Sequence, residues 1–485
     1  MATRSPLKTY LASHEMTVLE PGRTCWRIEA SHRAALLVDN EPYYAALHSA
    51  LLAAERSIHI LGWAFDPRTR LAPDGTEGPE DPDEIGRILI ALCRAKPELD
   101  VRILVWKSPF GVMGHQDIRG HRAKRWFART PVAFREAHDV PLGACHHQKV
   151  VVIDDRVAFC GGGDIVTNRW DTQAHLHNEP RRILPDQAHH PARHEVTIMV
   201  DGPVAGTLGT LFRERWTSAT GEVLAEVRPT LRDPWPAFAR PHFSNIQIGI
   251  ARTKPAWRGR ALVEEIRHLT LACIASASRT IYLENQYFTC RRVADALAAR
   301  LLEPTGPEVV LVVSWRAPSW FDHLTMDYAR NPLVRRLRAA DAFGRFRALS
   351  PMTSAGAPIL VHSKVAVFDD RILRVGSANL NNRSEGFDTE CDLTIEGGTD
   401  ADGRAIAAFR DQLLSHFLGI DATRFTRARI AGGGVVAAID KLNADGRLAS
   451  VAMGPPTWWE DFVFGRSLGD PASVEDSWRI REPRE

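Results

Sequence analysis

Two copies of one short motif hold the residues whose chemistry stands out. His147-x-Lys149 is followed by Asp154 in HQKVVVIDDRVAFCGGGD, and His362-x-Lys364 by Asp369 in HSKVAVFDDRILRVGSAN. Each copy supplies an imidazole, an ammonium and a carboxylate at the same spacing. An imidazole can attack phosphorus or move a proton, and an ammonium can neutralise phosphate oxygens. Two of each, brought together, would suit phosphodiester chemistry. Residue frequencies give about a 2% expectation for one H-x-K-x4-D match by chance, so a pair is not coincidence. Only 8 of the 61 basic residues are Lys, yet both motifs use it. A compact ammonium suits crowded phosphate oxygens where a planar guanidinium does not.

The elements around the motifs repeat as well. An amphipathic helix over 42–55 precedes an apolar strand from about 57, as a helix near 261–277 precedes a strand from about 280. A helix near 83–95 leads to VRILVWKSP at 101–109. Its counterpart near 292–302 leads to VVLVVSWRAP at 309–318. Each motif then lies in a strand-turn-strand unit with an Asp-Asp-Arg turn, closed by Gly161-Gly162-Gly163-Asp164 or Gly376-Ser377-Ala378-Asn379. HEVTIMVDG (194–202) and TECDLTIEG (389–397) complete the halves, each before a helix. Alternating strands and helices predict an α/β sandwich in each half. The expected organisation is an N-terminal segment 1–35, domains over 36–235 and 245–425, and an extension over 426–485.

The repeat assigns further roles. Glu195 and Glu390 each lie seven residues before a glycine, Gly202 and Gly397. A carboxylate that accepts one imidazole N–H fixes the tautomer and makes the other nitrogen a better nucleophile. The expected pairs are Glu195 with His147 and Glu390 with His362. Asn379 and Asp164 each stand 17 residues after their His. The Asn379 amide can donate to a phosphate oxygen, and Ser377 beside it is the second expected phosphate contact. Ionised Asp164 only accepts, so it is expected to orient a Lys or a backbone N–H. Asp154 and Asp369 are expected to hold their motif strands.

These residues reach a family. The chain resembles the phospholipase D superfamily across about residues 36–420. It is most similar to the eukaryotic type, through Glu284-Asn285-Gln286-Tyr287-Phe288, Arg169-Trp170-Asp171-Thr172 and the Gly161-Gly162-Gly163-Asp164 turn. Neither that type's N-terminal lipid-binding domains nor the N-terminal membrane helices of many cardiolipin synthases are expected. The resemblance implies two α/β domains related by a pseudo-twofold axis, with the active site at their interface. It implies a covalent phosphohistidine, with His147 taken as nucleophile and His362 as acid and base. It implies a glycerophospholipid substrate, water or an alcohol as acceptor, and no metal or cofactor. Products would be phosphatidic acid or a head-group-exchanged lipid. The rival readings are a cardiolipin synthase, a nuclease of the superfamily and an inactive lipid-binding protein.

Composition agrees with this class. A net charge of +2 on 485 residues advertises no nucleic-acid partner. Seven Cys without CxxC spacing suggest reduced thiols, and no apolar run reaches transmembrane length. The expectation is a soluble, cytoplasmic protein able to dock peripherally on membranes. Trp63, Trp170, Trp315 and Trp320 are candidates for the rim of a cleft. The PPTWWEDFVF segment is expected to pack back onto the body. His146 falls outside the repeat's register, and the DQAHHPARH run (186–194) has no standard metal-site spacing. Residues 67–84 read as a surface loop.

Overall fold

The computed structural model describes residues 17–73, 83–108, 114–317 and 319–473. The middle of the expected 67–84 loop and the last residues of the 101–109 and 309–318 runs lie outside them.

The first half contains strands β1 (Arg27–Val38), β2 (Ser57–Gly62), β3 (Asp100–Trp106), β4 (Ala133–Ala137), β5 (Val150–Ile153), β6 (Val157–Gly161), β7 (Arg193–His194) and β8 (Val196–Asp201). The second contains β9 (Phe243–Lys254), β10 (Val263–Glu264), β11 (Thr280–Asn285), β12 (Glu308–Val313), β13 (Phe346–Pro351), β14 (Leu360–Val361), β15 (Val365–Phe368), β16 (Ile372–Gly376) and β17 (Glu390–Glu396). β18 (Leu448–Ser450) follows, outside the repeat. The spatial order is β18-β13-β12-β11-β15-β16-β17-β9-β1-β8-β6-β5-β2-β3-β4. Read outward from the β9–β1 junction, the halves have the same strand order. The duplication is therefore topological as well as sequential.

β1 and β9 were not among the elements expected from the repeat. They pair antiparallel, Arg27 opposite Ile250 and Ala34 opposite Phe243, and join the halves into one 16-stranded sheet. These two strands start ahead of positions 36 and 245. The alternation in FSNIQIGIARTK carries the strand signal.

The motif strands are apolar because both faces are covered. VVVI of β5 and VAVF of β15 are buried at every position. Such continuous runs mark strands packed on both sides. Helices supply the cover through one apolar stripe. In Ile85–Ala95 the buried residues include Ile85, Ile88, Leu89 and Leu92, spaced for one helical face. Between the halves, one core cluster includes Val196 and Ile198 with Leu393 and Val375. The motif ends of both halves are consequently packed against each other.

The hairpin after each motif shows why Asp ends it. Asp154 and Asp369 take left-handed backbone, φ 56° and 55°, which Asp tolerates better than most residues. Asp154 Oδ1 and Oδ2 accept the backbone N–H groups of Glu55, Arg56 and Ser57 at 2.7–2.8 Å. Asp369 accepts those of Ser278, Arg279 and Thr280 at 2.7–2.9 Å. Each motif strand is thereby tied to the start of its neighbour, β2 or β11.

The C-terminal segment packs back, as expected. Glu460 on the helix Trp458–Gly465 accepts from Asn331 and Arg335. Asp470 accepts from Thr289, Asn382 and Arg383. Trp458 stays 75% exposed. Among the described residues, no helix is long and apolar enough to cross a membrane.

Charge-assisted bonds to three amides are each stronger than neutral ones. Asp369→Asn should therefore lower unfolding free energy by about 1.5–3 kcal/mol, read from denaturant midpoints, with unchanged far-UV circular dichroism.

Candidate active site

The entry to each motif is controlled by the opposite half. β7 and β14 pair in parallel, Leu360 with Arg193 and Val361 with His194. His362 N–H then donates to His194 C=O at 2.8 Å. Equivalently, His146 bridges Thr389 in parallel, and His147 N–H donates to Thr389 C=O at 3.0 Å. Each catalytic candidate is registered against the residue just before the other half's glutamate.

That register decides the His–Glu partners. His147 Nδ1 lies 3.0 Å from both carboxylate oxygens of Glu390. His362 Nδ1 lies 3.2 Å from Glu195 Oε1. The expected pairing within each half is therefore wrong: the partners cross. Each glutamate follows the strand that pairs with the other motif, so its side chain meets the other half's imidazole.

Both lysines complete one shared site. Lys149 Nζ donates to His147 C=O at 2.8 Å, and Lys364 Nζ to His362 C=O at 2.7 Å. Lys149 also lies 3.5 Å from Asp164, and Lys364 donates to Gln286 Oε1 at 3.3 Å. Burial, then the two nearby ammonium groups, hold the His147 imidazole well below its usual pKa of 6.5. His362 is depressed by burial and by Lys364, Arg193, Arg169 and Lys149. Burial also holds Lys364 well below the ordinary lysine range. Each imidazole thus feels both lysines, although 215 residues separate the copies in sequence.

The two carboxylates differ in what holds them. Glu390 accepts from Ser377 Oγ at 2.5 Å and Ser384 Oγ at 2.6 Å, both neutral donors. Its burial pushes its pKa up to about 8. Glu195 Oε1 accepts from Arg193 Nε at 2.8 Å and lies 3.4 Å from Arg169 Nε. Among the described residues Glu390 pairs with no Lys or Arg, whereas Glu195 shares its charge with two guanidinium groups.

This moves one expected role. Ser377 was expected on phosphate, but its hydroxyl is committed to Glu390, so it positions that carboxylate. Asn379 is held by its backbone N–H, which donates to Ser384 Oγ; its buried side-chain oxygen makes no hydrogen bond among the described residues. Asp164 behaves as expected, accepting Trp63 and Ala64 N–H at 2.7 and 3.1 Å and facing Lys149.

Ser384, Arg169 and Arg193 were not assigned to the glutamates from sequence. A signal existed for two of them. Ser384 and Arg169 occupy the same offset from their turns, and each touches its own half's glutamate. Gly162 and Gly163 have a steric reason. A Cβ at Gly162 would stand 2.6 Å from His362 O, and one at Gly163 would stand 1.7 Å from Glu195 Oε2. No side chain fits where the turn meets the opposite motif.

The other singled-out segments support the site from behind. Glu284 accepts from Ser363 Oγ at 2.7 Å, between His362 and Lys364. Asn285 accepts Leu380 N–H and donates to Ala378 C=O, holding the second turn. Trp170 is buried beneath Arg181, and Trp63 stacks on Trp106 with centroids 5.9 Å apart. Trp315 lines a groove with His323 and Glu460, away from the paired histidines. Trp320 is 74% exposed. His146 is spent on Asp139 at 2.8 Å, in keeping with an incidental place.

Comparison with known proteins is consistent with this geometry. A family model described as Phospholipase D matches residues 50–233, and one described as Cardiolipin synthase, PLD-like domain, matches residues 270–412. The chain is 23% identical to phospholipase D1 of Schizosaccharomyces pombe over 79% of this chain and 35% of that protein. It is 24% identical to cardiolipin synthase A of Pseudomonas entomophila over 73% of this chain and 63% of that protein. Its fold is similar to the crystal structure of phosphatidylserine synthase from Haemophilus influenzae, with a TM-score of 0.57 at 12% identity, covering 86% of this chain and 95% of that one. The chain spans well under half the length of the curated phospholipases D it matches.

The crossed pairing has a direct thermodynamic signature. A double-mutant cycle between His147→Ala and Glu390→Gln should give a coupling free energy of about 1–3 kcal/mol in denaturant unfolding. The His147→Ala and Glu195→Gln cycle should be additive within about 0.5 kcal/mol.

Proposed function

This chain belongs to the phospholipase D superfamily, and on that premise we propose that it cleaves or exchanges the head-group phosphodiester of glycerophospholipids. The observation that carries the reading is the single cluster of two neutral imidazoles and two lysines. Each imidazole is backed by a buried carboxylate. Phosphoryl displacement builds charge on nonbridging oxygens, and fixed cations there favour the transition state. Lys149, Lys364 and the Asn379 amide are the proposed donors.

His147 is the proposed nucleophile. Glu390 takes its Nδ1–H, which leaves Nε2 with a free lone pair for phosphorus. The N–P bond forms as the P–O bond to the head-group alcohol breaks, giving a phosphatidyl-histidine. His362 donates the proton that the departing oxygen takes up. It then removes a proton from water or an acceptor alcohol, whose oxygen displaces His147. Phosphatidic acid or a new phosphodiester leaves, and both imidazoles return to their starting state. The unequal carboxylates support this order. Among the described residues no guanidinium pairs with Glu390, and burial makes it the more basic acid, so once ionised it is the stronger acceptor for the His147 N–H. Glu195, shared with Arg169 and Arg193, leaves His362 less basic and readier to give its proton up.

The depression of both imidazoles fits a site awaiting an anion. The lysines disfavour a third positive charge in the free protein. A bound phosphodiester offsets them and lets His362 hold its proton. A lipid alcohol as acceptor would make the same chemistry a cardiolipin synthesis. The matching second-half family model favours keeping that reading.

Four measurements test this. Purified protein given mixed labelled phospholipids and a short primary alcohol should yield a phosphatidyl-alcohol. Cardiolipin from phosphatidylglycerol would favour the synthase reading, and cleavage of DNA beside inert lipids would sink both. His147→Ala and His362→Ala should each lose at least about 10⁴-fold in kcat. With a substrate whose leaving group needs no proton, only His362→Ala should accumulate labelled phosphohistidine. The acid limb of kcat/KM should lie below pH 6.5, because a depressed pKa keeps His147 neutral as pH falls.

A further inference from the structure

Behind Glu195, four side chains from separate segments converge. They are Asp39, His175, His194 and His416, and their ligand-type atoms all lie within 4.8 Å of one another. Asp39 Oδ2 is 3.5 Å from His175 Nε2 and 3.4 Å from His416 Nε2, and Asp39 Oδ1 is 3.0 Å from His194 Nδ1. The side chains are at most 6% exposed. Asp39 Oδ2, His175 Nε2, His194 Nδ1 and His416 Nε2 make no hydrogen bond among the described residues. Four inward-facing polar atoms without hydrogen bonds are costly in a desolvated interior.

Two of the imidazoles have carboxylate partners on their outer nitrogens. His175 Nδ1 lies 2.9 Å from Asp171 Oδ2, and His194 Nε2 lies 3.0 Å from Glu284 Oε2. An imidazole whose outer N–H meets a carboxylate can turn its other nitrogen to a metal, which at His194 would displace the proton that Asp39 and Glu284 favour, against burial, by raising its pKa to about 10. Metal-binding histidines are oriented in this way. Tetrahedral coordination at about 2.0–2.1 Å sets neighbouring ligand atoms about 3.3 Å apart; the three Asp39–His spacings are 3.0–3.5 Å, and the whole set lies within 4.8 Å. Asp39 also holds φ 67° and ψ 169°, a conformation costly for a residue with a Cβ. Strain of this kind persists where the surroundings over-determine a residue, as ligand sites do.

We infer that these four residues form a closed, tetrahedral site for a transition-metal dication, best matched by zinc. Three imidazoles and one carboxylate suit zinc better than calcium or magnesium, which prefer all-oxygen shells. With four protein ligands the site leaves no position for substrate, so its role is structural. No metal site is legible in the spacing, because the ligands come from the end of β1, a loop, β7 and the helix Asp400–Leu418. Of the DQAHHPARH run only His194 takes part.

The position gives the metal a purpose. Asp39 N–H donates to Glu195 C=O at 2.7 Å, and Asp39 Oδ1 accepts Glu195 N–H at 3.2 Å. His194 C=O holds His362 N–H. His416 comes from the second half and the other three ligands from the first. The metal would clamp the halves together and fix Glu195 against His362.

The full chain, purified without chelators or metal-affinity resin, should contain about one zinc per chain by elemental analysis. Removal with dipicolinate should lower the melting temperature. Zinc should restore it and magnesium should not. Cobalt(II) added to the stripped protein should give the visible bands of a tetrahedral site. His416→Ala should reduce metal content at least tenfold; if it fails to fold, cobalt uptake by the unmutated chain decides. A chain with under a tenth of an equivalent of metal, taking up neither zinc nor cobalt, would overturn the site. The four residues would then share protons instead.

Discussion

The fold turns on a reciprocal exchange. Each half holds its own glutamate, Glu195 through Arg193 and Glu390 through Ser377 and Ser384, and presents it to the other half's histidine. The parallel pairing of β7 with β14, and of His146 with Thr389, enforces this exchange. Neither half can complete a His–Glu pair alone. The tight contacts at Gly162 and Gly163, the shared core between β8 and β17, and the placement of both lysines all follow from it.

Duplication built the frame, and divergence around the glutamates gave it direction. Two identical dyads would compete for the same role. Here Ser377 and Ser384 surround Glu390 with neutral hydroxyls, while Arg169 and Arg193 surround Glu195 with charge. In a desolvated site such differences are weakly screened, so they separate the two imidazoles electrostatically. The separation costs little in backbone geometry, because the strand order stays the same in both halves.

Rigidity is concentrated behind the reacting groups. Asp154 and Asp369 each anchor a motif strand through three amides. Glu284 reaches from β11 to Ser363 and to His194. Asn285 ties the second turn to the same strand. The reacting atoms are thus positioned by buried polar networks, whose low-dielectric surroundings strengthen each bond. Positioning of this kind lowers the reorganisation that charge development would otherwise require.

The duplicated H-x-K-x4-D spacing, the apolar strands flanking it and the Asp-Asp-Arg turns are local patterns. They were enough to identify two α/β halves, the paired His and Lys, and the anchoring by Asp154 and Asp369. Offsets within the repeat also singled out Glu195 and Glu390, the acids that the structure places beside the imidazoles. Partner choice was beyond such reasoning. Offset analysis treats each half as closed, whereas His147 meets Glu390 only because strands from different halves lie side by side. The same holds for Ser377, whose hydroxyl looks free until the fold aims it at a carboxylate. It holds for Asp39, His175, His194 and His416, up to 377 residues apart, which no spacing rule connects. Local chemistry and periodicity are written along the chain; contacts between distant segments exist only once the sheet has folded on itself.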